Sequence, residues 1–395
     1  MKRFNDIIKT LLLLVAGWFF VLQAKAQTAD PVAYMDSVEF SLITCSAHQE
    51  IYSLYGHTAL GVNDLHESHK EEVAFNWGVF NYQQSFFITR FILGLTDYEL
   101  GLSPFEPFCN YYRHWGSAVT EQTLNLTPVE KLRLNEALKT NYQPQNRVYR
   151  YNIFYDNCST RPRDVIESCI DGEVVYEQRK DYEPTFRDIL HDNTKNYPWT
   201  TFGIDMLLGL KADLKTSREE QEFLPANLQY DFEHASIKAS DGSLRPLVKQ
   251  RSMPVSPGVQ TVEADFPLSP TACFLLLLAL TVLFFVLEWK RRKTFKYWDA
   301  ALMLLMGLPG CLLLFMVFSQ HPTTSLNLQM LLVNPVHLFY LPAVLRRRRT
   351  HYFRLLTVLV VLFLAGAFVQ HYAEGLLLLA LCLLLRICIH FRNEK

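Results

Sequence analysis

Two short stretches of this chain carry side chains that can run acyl transfer if the fold brings them together. Asn157-Cys158-Ser159-Thr160 reads as the start of a helix with a thiol in its first turn, and Tyr55-Gly56-His57-Thr58 places an imidazole at the head of a short apolar strand. A helix N-terminus favours the thiolate through its dipole. Asn157 is a good capping residue, and the Cys158 amide together with a nearby donor can stabilise a tetrahedral oxyanion. A thiolate needs a base within hydrogen-bond reach, and the base needs a third polar group to orient it. His57 is the expected base, with Gly56 before it allowing close backbone approach. Asn76, in Phe75-Asn76-Trp77-Gly78, is the expected orienting group, and Asn81 is the reserve for that role. Cys45 follows an apolar strand rather than opening a helix, so Cys158 is the expected nucleophile. Cys45 is then expected to pack beneath the site or to pair with another exported cysteine. A lone cysteine or histidine is more often structural; it is the pairing of the two that argues for chemistry.

The elements that must position these groups are legible in outline. Residues 38–44 (VEFSLIT), 57–62 (HTALGV) and 73–80 (VAFNWGVF) have strand composition. Residues 127–140 predict a helix opened by a Thr127/Glu130 capping box with Pro128 in the first turn. Residues 149–155 are aromatic and extended. Beyond Cys158, Val165, Ile166, Cys169 and Ile170 recur at helical spacing, with Pro162 near the start, where it is tolerated. The first half therefore reads as α+β.

The second half is different. The chain has 395 residues, half of them hydrophobic, and a formal charge of -1; that balance is uninformative about nucleic acid, but no long basic stripe crosses the first half, and no nucleic-acid partner is expected. Lys2-Arg3, an apolar run over 11–22 and Ala24-Lys25-Ala26 predict an export signal over residues 1–26, cleaved before Gln27. Residues 27–238 are expected to form the exported domain and 239–270, rich in proline, a linker or irregular strap. Residues 271–395 are expected to form an all-α membrane bundle of about five helices, over 271–288, 299–319, 326–345, 352–370 and 375–391. The third is interrupted by Asn334-Pro335. Basic clusters at 290–293 and 346–349, with Arg392 and Lys395, fall on one side only if all five segments cross. The positive-inside rule then puts the C-terminus in the cytoplasm and the first domain in the periplasm. Of the eight cysteines, Cys45, Cys109, Cys158 and Cys169 fall in the exported part, without a dense disulfide pattern.

The blocks Leu42-Ile43-Thr44-Cys45-Ser46, Tyr55-Gly56-His57-Thr58-Ala59-Leu60, Phe75-Asn76-Trp77-Gly78 and Asn157-Cys158-Ser159-Thr160-Arg161 resemble the Bacteroidetes family of lipoprotein N-acyltransferases. His321-Pro322-Thr323-Thr324 followed by Asn327 resembles that family's membrane domain. The order His-then-Cys also resembles permuted papain-like enzymes of the lecithin:retinol acyltransferase type. The resemblance implies a papain-like, permuted exported domain and a cysteine acyltransferase of the inner membrane. Such an enzyme moves a chain from a phospholipid, through a Cys158 thioester, to the α-amino group of a diacylglyceryl lipoprotein, with no metal or cofactor. On that reading Asn157 and Arg161 lie at the substrate, with an ion pair as the other reading of Arg161. His321, Asn327, His371 and Glu374 fall near the outer interface, as headgroup contacts or as ordinary interfacial polar residues. A membrane-tethered papain-like cell-wall peptidase or amidase, or a non-catalytic envelope assembly protein, remain the alternatives.

Overall fold

Every residue of β1 (Val38–Cys45) except Glu39 is buried, a pattern that arises when both faces of a sheet are covered. β1 lies near the middle of a seven-stranded sheet of order β10-β5-β1-β2-β3-β4-β6. Its other members are β2 (His57–Asp64), β3 (Glu71–Val79), β4 (Asp97–Pro104), β5 (Val119–Leu124), β6 (Val148–Arg150) and β10 (Val248–Val255), and every pairing is antiparallel. The computed structural model describes residues 30–66, 70–81, 83–260, 266–348 and 351–394; the expected signal, 1–26, lies outside the described residues.

The two sheet faces are covered differently. After a short α1 (Pro31–Tyr34) and α2 (Phe87–Ile92), α3 (Phe105–His114) packs Phe105, Phe108 and Tyr112 on one face, against Ile43, Cys45, Ala59 and Ala74. On the other face, Phe40, Leu42, Leu60 and Trp77 meet α4 (Pro128–Asn141), α5 (Thr160–Cys169) and α9 (Pro225–His234) through Leu134, Leu138, Ile166 and Phe232. Alternate residues of one strand thus feed two cores. α4 begins with the reciprocal Thr127/Glu130 capping box that its sequence announces. Between α5 and α9 run α6 (Phe186–Thr194), α7 (Pro198–Leu207) and the single turn α8 (Arg218–Gln221), while β7 (Glu173–Val175), β8 (Ser236–Lys238) and β9 (Leu244–Pro246) make a second, small sheet.

The expected strap over 239–270 is corrected by this topology. Residues 244–255 supply β9 and β10, and β10 is an outer strand of the large sheet, paired to β5. Pro254 misled the reading: at a sheet edge, a residue without an N–H is tolerated.

The C-terminal block has α10 (Pro270–Arg291), α11 (Lys296–Met316), α12 (Val336–Leu345), α13 (Tyr352–Gly366) and α14 (Leu376–Glu394). Four stretches are long and apolar enough to cross a membrane: Pro270–Arg291, Lys296–Met316, Leu328–Leu345 and Leu376–Asn393. The third is a 3-10 turn over Leu328–Leu331 followed by α12, broken at Pro335. The expected fourth span, 352–370, is helical only to Gly366; its 15 residues reach about 22 Å, short of a bilayer's hydrocarbon core. It nonetheless runs the length of the block, because the turns after it bring Gln370 and His371 to the N-terminal domain, where Gln370 Nε2 donates to Leu208 O (3.2 Å) and His371 N to Asp213 (3.2 Å).

Both ends of the bundle are held by polar groups. At the end away from the N-terminal domain, buried Arg386 pairs with Glu288 (2.8 Å) and Asp299 (2.8 Å), and His390 meets Asp299 (2.9 Å), joining α14 to α10 and α11. At the near end, the last carbonyls of α7, which no helical N–H satisfies, accept from amide side chains of the membrane block. Asn327 donates to Met206 O (2.8 Å) and Gln329 to Asp205 O (2.7 Å). The two domains are therefore locked through α7.

Candidate active site

Asn157 fixes the turn that carries the thiol. Its side-chain oxygen accepts from Ser159 N (2.7 Å) and Thr160 N (3.0 Å), its carbonyl accepts from Arg161 N (3.2 Å), and its amide donates to Ile153 O (2.7 Å) and Phe223 O (2.8 Å). Regular helix starts at Thr160, but the capping bonds start at Asn157, so Cys158 stands at the helix mouth. Ser159 Oγ lies 2.9 Å from Thr58 Oγ1 in a buried contact that clamps this mouth to the start of β2. Arg163, bonded to buried Glu222 (3.0 Å), fixes the next turn against the segment before α9.

That clamp sets Cys158 beside His57, close enough for the thiol and the imidazole to act on each other's charge. His57 Nε2 is 2.7 Å from Asn76 Oδ1 on the neighbouring strand. An amide oxygen only accepts, so Nε2 carries the proton and Nδ1 is the nitrogen left for sulfur. All three side chains keep partial exposure. A Cβ on Gly78 would sit 2.8 Å from His57 Cε1 and 3.1 Å from Asn76 Oδ1, so the absence of a side chain there makes room for the ring. Gly56 turns the chain into β2 at φ 76°, with Cys45 O 2.6 Å from where a Cβ would stand.

Burial alone would push the Cys158 thiol up. The adjacent imidazole, the Thr58 N–H and the Ser159 hydroxyl outweigh burial and hold the thiol below its ordinary value. Burial would likewise lower His57, but Cys158 and Asn76 outweigh it and raise the imidazole. Both shifts favour a thiolate–imidazolium pair. Cys45, the register partner of His57 on β1, is the opposite case: burial pushes its thiol well up, only partly offset by Tyr112. It packs beneath the site as a free thiol, and the exported cysteines are all unpaired.

The other candidate residues are placed as follows. Asn157 is buried and spends its amide on the chain itself, so it shapes the turn rather than facing a ligand. Arg161 forms a two-pronged pair with Asp156 (2.9 Å for the outer contact) and lies 3.8 Å over the Tyr149 ring. Asn327 is buried in the α7 seam; its oxygen accepts from Gln329 and from Gln370 (3.0 Å), which corrects the expectation of a headgroup contact. His321 Nε2 bonds Phe91 O (3.0 Å) at the end of α2. Phe91 stacks at 6.5 Å on Tyr151, whose phenol is close enough to Cys158 to interact with its charge. His321 is thus joined to the thiol by a lane of aromatic rings rather than by contact. Asn81 lies in the turn after β3, its oxygen accepting from Gln83 N (2.8 Å), while His57 is bonded to Asn76. His371 and Glu374 sit at the seam, Glu374 accepting from Thr271.

The residues that sequence reasoning missed are Gly78, Thr58 and Ser159, which act through contacts between segments remote in the chain. Their only signal was membership of the same short blocks as Asn76, His57 and Cys158. Among the described residues no group of His, Cys, Asp and Glu is arranged to hold a metal ion.

Residues 27–192 match the Lnb N-terminal periplasmic domain, and residues 261–395 match the Lnb transmembrane domain. No curated protein and no solved structure matches the chain.

Proposed function

The chain belongs to the Lnb family, with its periplasmic domain and its transmembrane domain both present, and from that premise we propose that it is a lipoprotein N-acyltransferase working through Cys158. The Cys158 thiolate attacks the ester carbonyl of a phospholipid. As the C–O bond breaks, His57 gives its Nδ1 proton to the departing glycerol oxygen, leaving a lysophospholipid and a thioester. The α-amino group of a diacylglyceryl-cysteine then attacks the thioester. The C–N bond forms, the C–S bond breaks, and the amine's proton passes to His57, restoring the thiolate–imidazolium pair. The Cys158 N–H, at the helix mouth, is the donor best placed for the oxyanion of both steps.

The observation that carries this reading is the Cys158–His57–Asn76 array set next to a block of membrane helices. A soluble hydrolase would need the same array but not that block. Fatty chains cost about 0.8 kcal/mol per methylene to draw into water, so a thiol held at the bilayer surface avoids most of that cost. Basic residues support the orientation with the N-terminal domain in the periplasm. Lys296 bonds Leu345 O, Arg347 bonds Thr294 O and Arg392 bonds Trp289 O, all at the end of the bundle remote from the N-terminal domain. We place that end in the cytoplasm of an inner-membrane protein and the papain-like reading of the site on the periplasmic side.

The test is the mass of lipoprotein N-termini from cells carrying Cys158→Ala. Loss of one acyl chain, with two retained on the glyceryl group, is the expected result. Normal lipoproteins with altered cell-wall peptides would instead mark a wall peptidase or amidase, and no change in either would mark a non-catalytic assembly role.

A further inference from the structure

We propose that the cavity beneath α7 is the binding site for one fatty-acyl chain of a diacylglyceryl lipid, an inference that rests on the acyl-transfer reading above. The cavity measures about 720 Å³ and is walled by both domains: Phe202, Gly203 and Met206 of α7, Phe274 and Leu277 of α10, and Leu312 of α11 among others. Its walls are hydrocarbon almost throughout. Water needs several polar partners to stay in such a space, so an apolar occupant is the one its walls suit.

Its depth argues for which one. The α10 residues are in the first turns of that helix, the α11 residues run from its middle toward its end, and those of α14 are at its start. All are the ends nearest the N-terminal domain, hence the leaflet facing that domain. Leu305 and Leu312, which line the cavity, are also exposed on α11, so the cavity opens sideways toward lipid. Its inner wall leads to the thiol. Ile204 lines the cavity and packs on the cluster of Phe154, Phe186 and Phe223, together with Tyr55. Phe223 O accepts from Asn157, the residue before Cys158. A chain seated here belongs to a lipid whose glyceryl end lies at the level of the site. Donor phospholipid and acceptor lipoprotein share that chemistry.

Gly203 supplies the test. It lines the cavity, and a Cβ added there meets nothing within 4 Å, so a larger side chain enters the cavity without disturbing α7. Full-length Cys158→Ala protein, which cannot turn over, is placed in phospholipid nanodiscs with one of two probes carrying a diazirine in an acyl chain. The donor arm uses phosphatidylethanolamine and the acceptor arm a diacylglyceryl-cysteine peptide. After irradiation, adducts are mapped by mass spectrometry. The expected result in at least one arm is adducts concentrated on residues 202–207 and 274–277, reduced on the order of tenfold by Gly203→Trp, the size of effect that overfilling an apolar site produces. Gly203→Leu, a smaller filling, gives an intermediate loss and guards against misfolding of the Trp variant. Adducts spread evenly over lipid-facing residues such as Leu280 and Val361, or indifferent to both Gly203 variants, overturn the proposal. Failure of wild-type protein to transfer any chain would sink the acyl-transfer reading while leaving the adduct map to decide the cavity.

Discussion

One amide oxygen, on Asn76, determines which imidazole nitrogen faces the sulfur, and much of the proposed chemistry follows from it. Because Cys158 is held below and His57 above their ordinary values, the thiolate forms at lower pH than an ordinary thiol would allow and persists as pH rises, losing only its imidazolium partner when His57 deprotonates. Iodoacetamide alkylation of Cys158, followed against pH, is expected to rise with a midpoint below the ordinary thiol value of about 8.5. In His57→Gln the imidazole, the largest of the groups that lower the thiol, is gone while burial, Thr58 and Ser159 remain, so the midpoint moves upward; an unchanged midpoint would remove His57 from the site. Asn76→Ala takes away a bond to a charged imidazolium, worth about 1.5–3 kcal/mol, so kcat is expected to fall between tenfold and a hundredfold with little change in KM. Gly78→Ala pushes a methyl into the ring's space and is expected to cost activity while leaving the melting temperature nearly unchanged. The gathering of Cys158, His57 and Asn76 was legible because each sits at a recognisable point of its own element. Gly78 was not, because its importance is the distance to a ring at the far side of another turn.

At the scale of elements, α2 and α14 make the clearest predictions. Phe86, before α2, and Ile88, within it, are strongly exposed beside the aromatic lane to Cys158. On the proposed function these side chains enter the bilayer that supplies the substrate. Burying one such side chain is worth about 1.5–3 kcal/mol, so Phe86→Ser with Ile88→Ser is expected to reduce turnover of vesicle phospholipid at least tenfold. Turnover of a short-chain, water-soluble thioester should not change. In α14, Arg386→Met takes the buried guanidinium from Glu288 and leaves Asp299 with His390 alone inside the bundle. Breaking a buried pair from one side costs about 3–5 kcal/mol, visible as a large drop in melting temperature in detergent. The capping box of α4 and the run of β1 were readable locally. The strands over 244–255 were not, because an edge strand with proline looks like a linker until its partner, β5, is known.

At the scale of the molecule, α7 joins the two domains. Asn327, Gln329 and Gln370 give their amides to the carbonyls that end it, a lock no periodicity announces, since it pairs glutamines remote in sequence with a helix terminus. Gln329→Ala leaves the Asp205 carbonyl and the Ala373 N–H without this partner. The expected cost is about 1–3 kcal/mol, read by calorimetry as the domains beginning to melt separately, where the wild type melts once. With the lock closed, the thiol, the aromatic lane and the apolar cavity are held together at the end of the helical block nearest the N-terminal domain. The most direct measurement is intact-protein mass spectrometry of the purified full-length chain given phospholipid and no acceptor. The account predicts one hydroxylamine-sensitive acyl group on Cys158, absent from Cys158→Ala and His57→Gln and discharged by a diacylglyceryl-cysteine peptide. Protein that stays unacylated, or carries the chain on Cys45, would contradict it.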